Sequence, residues 1–247
     1  MNRAPRLCAV VPTYDNPMTV RDVVTTIRDQ GLEVIVVDDG SGAAGRAACE
    51  ALAADGIATL RRLANNGGKG AAVKAGFAAA AELGYSHVLQ IDADGQHDLT
   101  RIAAFVDATH DAPDALILAY PEYGDDAPRL RRTARRFTSF WVDVEAGKGV
   151  IRDAMVGFRV YPLAAVRRLG RLGERMDFDI EIAVRLALLG TRVINLPVIV
   201  RYLEAEAGGV SHFQPFRDNL RFSWLHTRLC AAASFRRFLR LFGVGRK

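Results

Sequence analysis

The chain has 247 residues, half of them hydrophobic and a quarter charged, which is enough apolar material for one substantial core and too much for a disordered chain. Its three cysteines, Cys8, Cys49 and Cys230, are odd in number, far apart and in no CxxC pattern. That argues against a disulfide framework and a zinc site, and fits a reducing cytoplasm. The net charge of +5 is unevenly spread: segments 129–136 and 217–247 hold 13 of the 33 Lys and Arg and a single acid, Asp218, so the remainder is net acidic. The apolar run before Pro12 is short for a signal peptide, and no run approaches the roughly 20 apolar residues of a membrane span.

Strand and helix signals alternate through the first 120 residues. An apolar run at 7–11 predicts a strand, and Asn16-Pro17 offers an N-cap and a first-turn proline for a helix reaching about residue 30. A second strand over 33–37 is closed by Asp38-Asp39-Gly40-Ser41, and an Ala-rich helix follows to about residue 54. A third strand is expected within 57–63. The loop Asn65-Asn66-Gly67-Gly68-Lys69-Gly70 then opens a second Ala-rich helix to residue 83. A fourth strand, 88–91, delivers Asp92-Ala93-Asp94, Asp98 caps a helix to about residue 110, and 115–119 is the next strand. This alternation implies an α/β fold with a mostly parallel sheet.

Beyond Tyr120 the pattern loosens. A polar loop leads to an Arg-rich helix, a strand is expected over 153–161 and a helix over 178–189 ended by Gly190. A strand over 192–202 contains Pro197, which points to an edge or a bulge. Leu130, Ala134, Phe137 and Trp141 share one helical face, with Arg131, Arg132, Arg135 and Arg136 off it. Phe235, Phe238, Leu239 and Phe242 share another, opposed by Arg236, Arg237 and Arg240. Such helices either lie in an anionic membrane interface or pack on the domain with the basic side in water. Nucleic acid is disfavoured, because the aromatics sit with the aliphatics and not along a basic groove.

The chemistry concentrates at Asp92 and Asp94. In a strand, residues i and i+2 face the same way, so both carboxylates would converge on one hard cation, Mg²⁺ or Mn²⁺, shared with substrate phosphates. Open α/β sheets bind ligands at their carboxyl edge, where Pro12-Thr13-Tyr14, Asp38-Asp39-Gly40-Ser41 and the glycine loop would also fall. The glycine loop suits an anion at a helix start. No Ser or Thr follows Lys69 and the glycines do not read GxGxxG, so it is neither a Walker loop nor a dinucleotide fingerprint.

Together these motifs resemble the family-two glycosyltransferases. The matching residues are Val10-Val11-Pro12-Thr13-Tyr14, Val36-Val37-Asp38-Asp39-Gly40-Ser41, Asn66-Gly67-Gly68-Lys69-Gly70 and Ile91-Asp92-Ala93-Asp94-Gly95-Gln96-His97. Asp153-Ala154-Met155-Val156-Gly157-Phe158-Arg159-Val160-Tyr161 is similar to the corresponding segment of dolichyl- and polyprenyl-phosphate sugar synthases. The resemblance implies a GT-A fold, a Rossmann-like three-layer α/β/α sandwich with amphipathic C-terminal helices. Residues 1–212 would form the catalytic domain, split into a donor half (1–120) and an acceptor half (121–212), with 213–247 a basic helical segment.

By that resemblance the donor is a nucleotide-diphosphate sugar. Pro12, Tyr14 and Asp39 would hold the nucleoside, with Asp39 accepting the base's ring N–H. Asp92 would contact the nucleotide, Asp94 would ligate the metal, and Ala93 and Gln96 belong to the same donor motif. Lys69 either lies near the donor or stands solvated at its helix start. Transfer would invert the anomeric centre. A hydroxyl acceptor would need a base, for which Asp179 is chosen over Asp177 and Glu181; a lipid phosphate would instead need cations, with Arg159, Arg201 and His212 as candidates. The acceptor would be a polyprenyl phosphate or hydroxylated lipid, and the enzyme peripheral on the cytoplasmic side of an anionic membrane. A nucleotidyltransferase and a non-catalytic nucleotide-sugar binder are the alternatives. The sequence departs from the family pattern at Asp15-Asn16, where Asn-Glu is common, and at Ala119-Tyr120-Pro121-Glu122, where the lipid-phosphate synthases carry an arginine.

Overall fold

The structure, a computed structural model, describes residues 4–122, 129–200 and 215–241. Seven strands form one sheet: β1 (Leu7–Thr13), β2 (Val34–Asp38), β3 (Thr59–Arg62), β4 (His87–Ile91), β5 (Leu116–Glu122), β6 (Phe158–Pro162) and β7 (Val193–Ile199), in the order β3-β2-β1-β4-β6-β5-β7. All pairings are parallel except those of β6, which runs antiparallel to both β4 and β5. The helices are α1 (Val20–Asp29), α2 (Ala43–Ala54), α3 (Lys69–Glu82), α4 (Ile102–Asp111), α5 (Arg129–Ala146), α6 (Leu163–Val166), α7 (Phe178–Leu188) and α8 (Pro215–Leu241).

Strand alternation builds two cores from one sheet. In β1, Cys8 and Val10 face a cluster completed by α3, α7 and the inner sides of α5 and α8, whereas Ala9 and Val11 face one completed by α1, α2 and α4. The result is the expected three-layer α/β/α architecture. The Ala-rich α3 lies very close to β1: a Cβ at Gly76 would overlap the Val10 side chain, so the absent side chain sets the helix–strand spacing. β7 is an edge strand, which accounts for Pro197 within it.

Two boundaries differ from expectation for identifiable reasons. α1 begins at Val20, because Asn16 turns its side chain back to Thr13 Oγ1 and the Tyr14 carbonyl and does not cap a helix there. The strand expected over 153–161 begins only at Phe158. Asp153 Oδ1 accepts the N–H groups of Met155 and Val156 at 2.7 and 2.8 Å, closing a turn where extended chain was expected.

The helical faces of the basic segments also differ. In α5 the inward positions are Arg135, Thr138, Val142 and Glu145, one step round from the expected stripe, and Phe137 and Phe140 are exposed. In α8, Phe235 and Phe238 are exposed, whereas half-buried Arg236 turns back to the Leu188 carbonyl. Phe242 lies outside the described residues, as do the side chains of Leu130, Arg131, Arg132, Ala134, Arg237, Leu239 and Arg240.

Candidate active site

Strand order reverses between β1 and β4, and the loops at the carboxyl ends of β1, β2 and β4 meet at that switch point. From β1 come buried Pro12 and half-buried Tyr14. Among the described non-glycine residues Asp15 alone has a positive φ, 52°, a conformation that aspartate tolerates better than most residues. The turn brings its N–H to Ser41 Oγ at 2.9 Å and lets its carboxylate accept the Gly42 N–H at 2.9 Å, at the start of α2. The departure at Asp15-Asn16 thus ties the loop after β1 to the loop after β2.

From β2, Asp38 is fully buried; one oxygen accepts the Ser41 N–H at 2.8 Å and the other pairs with Arg62, which also donates to the Ser41 carbonyl. Asp39 accepts the N–H groups of Gly67 and Gly68, both at 2.8 Å, so it fastens the glycine loop to the sheet edge. Burial pushes its carboxyl above the ordinary value, and these two N–H groups partly oppose the shift.

Lys69 opens α3 and places Nζ 2.7 Å from Asp92 Oδ2 and 2.7 Å from Asp179 Oδ2. It is a mostly buried bridge, which replaces the reading of a solvated lysine. Burial would lower its pKa, but the two carboxylates outweigh that and raise it.

β4 ends at Ile91, so Asp92-Ala93-Asp94 lies on the turn after the strand, and the carboxylates do not converge by strand pleat. Other contacts set the turn. The Asp92 N–H donates to the Gly157 carbonyl at 3.1 Å, and Thr19 Oγ1 donates to the carbonyl of buried Ala93 at 2.6 Å. Asp94 Oδ1 accepts the Gln96 N–H at 3.0 Å. A Cβ at Gly157 would overlap the Asp92 carboxylate, so only glycine lets the two segments approach this closely.

Asp92 Oδ1 is buried and has no hydrogen-bond partner. Burial, with Asp94 and Asp179 nearby, raises the Asp92 pKa against the pull of Lys69. A hard divalent cation fits this arrangement: the donors are carboxylate oxygens, one is unspent, and the local charge is short of positive. Among the described residues no group of three or more His, Cys, Asp or Glu is placed to hold a metal.

His97, quoted in the sequence motif but given no role there, belongs beside this site. Both its ring nitrogens are buried without partners, and its ring stands edge-on to Phe158 at 6.0 Å. Burial lowers its pKa although Asp92 and Asp94 pull the other way.

From the second half of the chain, Asp179 is buried at the start of α7, within 3.4 Å of Gln90 Nε2 as well as bonded to Lys69. Burial alone would raise its pKa, but Lys69 and Arg159 hold it below the ordinary value of 3.8. Both its carboxylate oxygens are engaged, Oδ2 by Lys69 and Oδ1 by Gln90, where the sequence reading expected a proton acceptor for the acceptor hydroxyl. Arg159 is not exposed to an acceptor either. It is fully buried, donating at 2.6 Å to each of the Val156, Asp179 and Ala154 carbonyls, and so locks the turn before β6. Glu181 is also buried, accepting the Gly173 N–H at 2.7 Å and pairing with Arg185 at 2.9 Å. Arg201 and His212 lie outside the described residues. Two other arginines approach this side: Arg152 lies over the Tyr120 ring at 3.7 Å, and Arg135 of α5 pairs with Asp153 at 2.6 Å.

The chain is similar to known proteins over most of its length. The model of the family "Glycosyl transferase family 2" matches residues 8–170. The undecaprenyl-phosphate mannosyltransferase of Micrococcus luteus is 26% identical over 213 residues, covering 82% of this chain and 86% of that protein. Glycosyltransferase AglJ of Haloferax volcanii is 25% identical over 217 residues, covering 86% and 68%. Among solved structures, the glucosyl-3-phosphoglycerate synthase of Mycobacterium tuberculosis with uridine diphosphate superposes with a TM-score of 0.66 at 17% identity, covering 92% of this chain and 80% of that one. The same synthase solved with Mn²⁺, UDP-glucose and phosphoglyceric acid gives a TM-score of 0.65.

Proposed function

The chain belongs to glycosyl transferase family 2, and from that premise we propose that it transfers a sugar, with inversion, from a nucleotide-diphosphate sugar to a polyprenyl phosphate at the cytoplasmic face of an anionic membrane. The family displaces the nucleotidyltransferase and non-catalytic alternatives. Two relatives named for undecaprenyl-phosphate and polyprenol substrates support the acceptor class.

The observation that carries the acceptor reading is the engagement of Asp179. A hydroxyl acceptor must lose a proton, but Asp179 is buried and paired with Lys69 and Gln90, and Glu181 is committed to Gly173 and Arg185. A phosphate monoester arrives already nucleophilic and needs only orientation and charge compensation. Arg152, held over Tyr120 at the end of β5, supplies a cation where the lipid-phosphate synthases carry their arginine.

On the donor side, Pro12, Tyr14 and the loop fixed by Asp15 frame the nucleoside. Each Asp39 oxygen keeps a second lone pair beyond its loop contact, so it can still accept the base's ring N–H. Asp94 and Asp92 would hold Mg²⁺ or Mn²⁺, which when bound neutralises the departing diphosphate. Lys69 bridges Asp92 and Asp179, and Gln96 holds Asp94 through its backbone. The test is a thermal-shift screen of UDP- and GDP-sugars with Mn²⁺, followed by transfer to polyprenyl phosphate. Asp94→Ala should abolish transfer and metal-dependent donor binding; full activity in excess chelator would overturn the metal role, and transfer to a neutral polyprenol with none to its phosphate would overturn the acceptor.

A further inference from the structure

α8 is apolar on two opposite sides. Leu225, His226, Leu229 and Ala233 are buried on one, whereas Trp224, Phe235 and Phe238 are between 55% and 65% exposed on the other. At about 100° per residue, positions 224, 228, 231, 235 and 238 form one outward stripe, diametrically across the helix from the buried one. α5 repeats the arrangement: Thr138, Val142 and Glu145 face inward, and Phe137 and Phe140 face outward beside half-buried Trp141. Five exposed aromatic rings on two helices packed together is an unusual load for a face in contact with water alone.

The inner side shows that α8 is not merely seated the wrong way round. His226 Nδ1 lies 2.8 Å from Glu145 Oε1 in the buried seam, and Trp141 stacks on the His226 ring at 6.3 Å. These contacts fix the rotation of both helices and hence which rings face out. Around those rings stand exposed Arg136 and Arg221, while Arg228, on the same stripe, turns its guanidinium to within 3.8 Å of buried Glu181; the segments that hold these residues carry 13 cations and one acid. A second copy of the chain would bring two such cationic faces together. An anionic bilayer satisfies both features at once, taking aromatic rings at the headgroup–acyl boundary and arginines against lipid phosphates.

We infer that the outward faces of α5 and α8 dock the enzyme on an anionic bilayer through Phe137, Phe140, Trp224, Phe235 and Phe238. The inference deepens the proposed function and rests on its lipid acceptor for its purpose. Its test uses neither donor nor metal. Trp141→Phe leaves Trp224 as the one tryptophan of two, a reporter on the proposed face. Vesicles containing phosphatidylglycerol should blue-shift its emission, and brominated acyl chains should quench it; pure phosphatidylcholine should do so far more weakly. In flotation of the otherwise native chain, Phe137→Ser with Phe235→Ser should lower the partition coefficient on the order of 100-fold, with circular dichroism unchanged. Arg136→Gln should reduce the dependence on salt and on anionic lipid.

Docking is overturned if Trp224 stays unquenched, if flotation survives loss of the aromatics, or if sedimentation shows a dimer that shields Trp224 without vesicles. Donor binding that fails while Trp224 is quenched sinks the catalytic reading and supports docking. Donor binding and transfer to a short-chain polyprenyl phosphate without quenching do the reverse.

Discussion

One ammonium serves two carboxylates at Lys69, which lies 2.7 Å from both Asp92 and Asp179 in a mostly buried setting. Removing it strands two negative charges. Lys69→Met should destabilise the fold by about 3–5 kcal/mol in chemical denaturation, and Asp179→Asn in that background should recover part of the loss. Asp92 gives a second test. Its folded pKa is raised, so it binds its proton more tightly in the native than in the unfolded chain. That contribution is full below the ordinary value of 3.8 and is lost as pH rises through the elevated one. Relative to Asp92→Asn, metal-free protein should therefore gain stability as pH falls from neutral towards that range, while His97, whose pKa burial lowers, acts in the opposite sense in both proteins. Asp179, shifted downward, acts in the opposite sense only below 3.8. The acidic pair and Asp39 were legible in the sequence because each sits in a short motif after a strand. The commitments of Lys69 and Arg159 were not, because their partners lie on α7 and on the turn before β6. A cation's spacing along the chain does not say whether it faces a substrate or a carbonyl.

At the scale of elements, β6 with the turn before it is what the sequence hid. Periodicity identifies a strand but not its direction, and among the described strands β6 is the one that runs backwards. Its reversal brings the start of β6 to the end of β4, with Phe158 paired to Ile91, and so lays Gly157 against Asp92. Gly157→Ala should push the Asp92 carboxylate from its place. We expect loss of Mn²⁺-dependent donor binding by calorimetry with a near-native circular dichroism spectrum; donor affinity within twofold of the unsubstituted chain would disprove the contact's importance. The basic helices were read as amphipathic, with two seats left open, in a membrane interface or on the domain. The sequence pattern groups aromatics without saying which face meets the domain, and here the polar pair Glu145–His226 is buried while the phenylalanines look out.

For the molecule as a whole, both cores share one sheet, so ligand binding at its edge should stabilise a single cooperative unit. Donor with Mn²⁺ at about 100 times its dissociation constant should add about 2.7 kcal/mol. That corresponds to a rise of roughly 5–10 °C in one calorimetric transition for a chain of this size. Two transitions, only one of them shifted, would contradict the shared core. The layer order and parallel strands were legible in advance because strand–helix alternation and right-handed crossovers leave few topologies. The pairing of the two halves through an antiparallel strand was not, since it rests on contacts distant in sequence. Three contacts cross that junction from α5. Arg135 bonds Asp153, Asp153 bonds the Val156 N–H, and the next residue, Gly157, receives the Asp92 N–H on its carbonyl. The side chains of Arg135 and Asp153 carry the first two steps of this relay and the backbone carries the last. The acidic turn therefore has a mechanical address on α5: a displacement of that helix larger than those two side chains can absorb is handed on, through the Gly157 carbonyl, to Asp92.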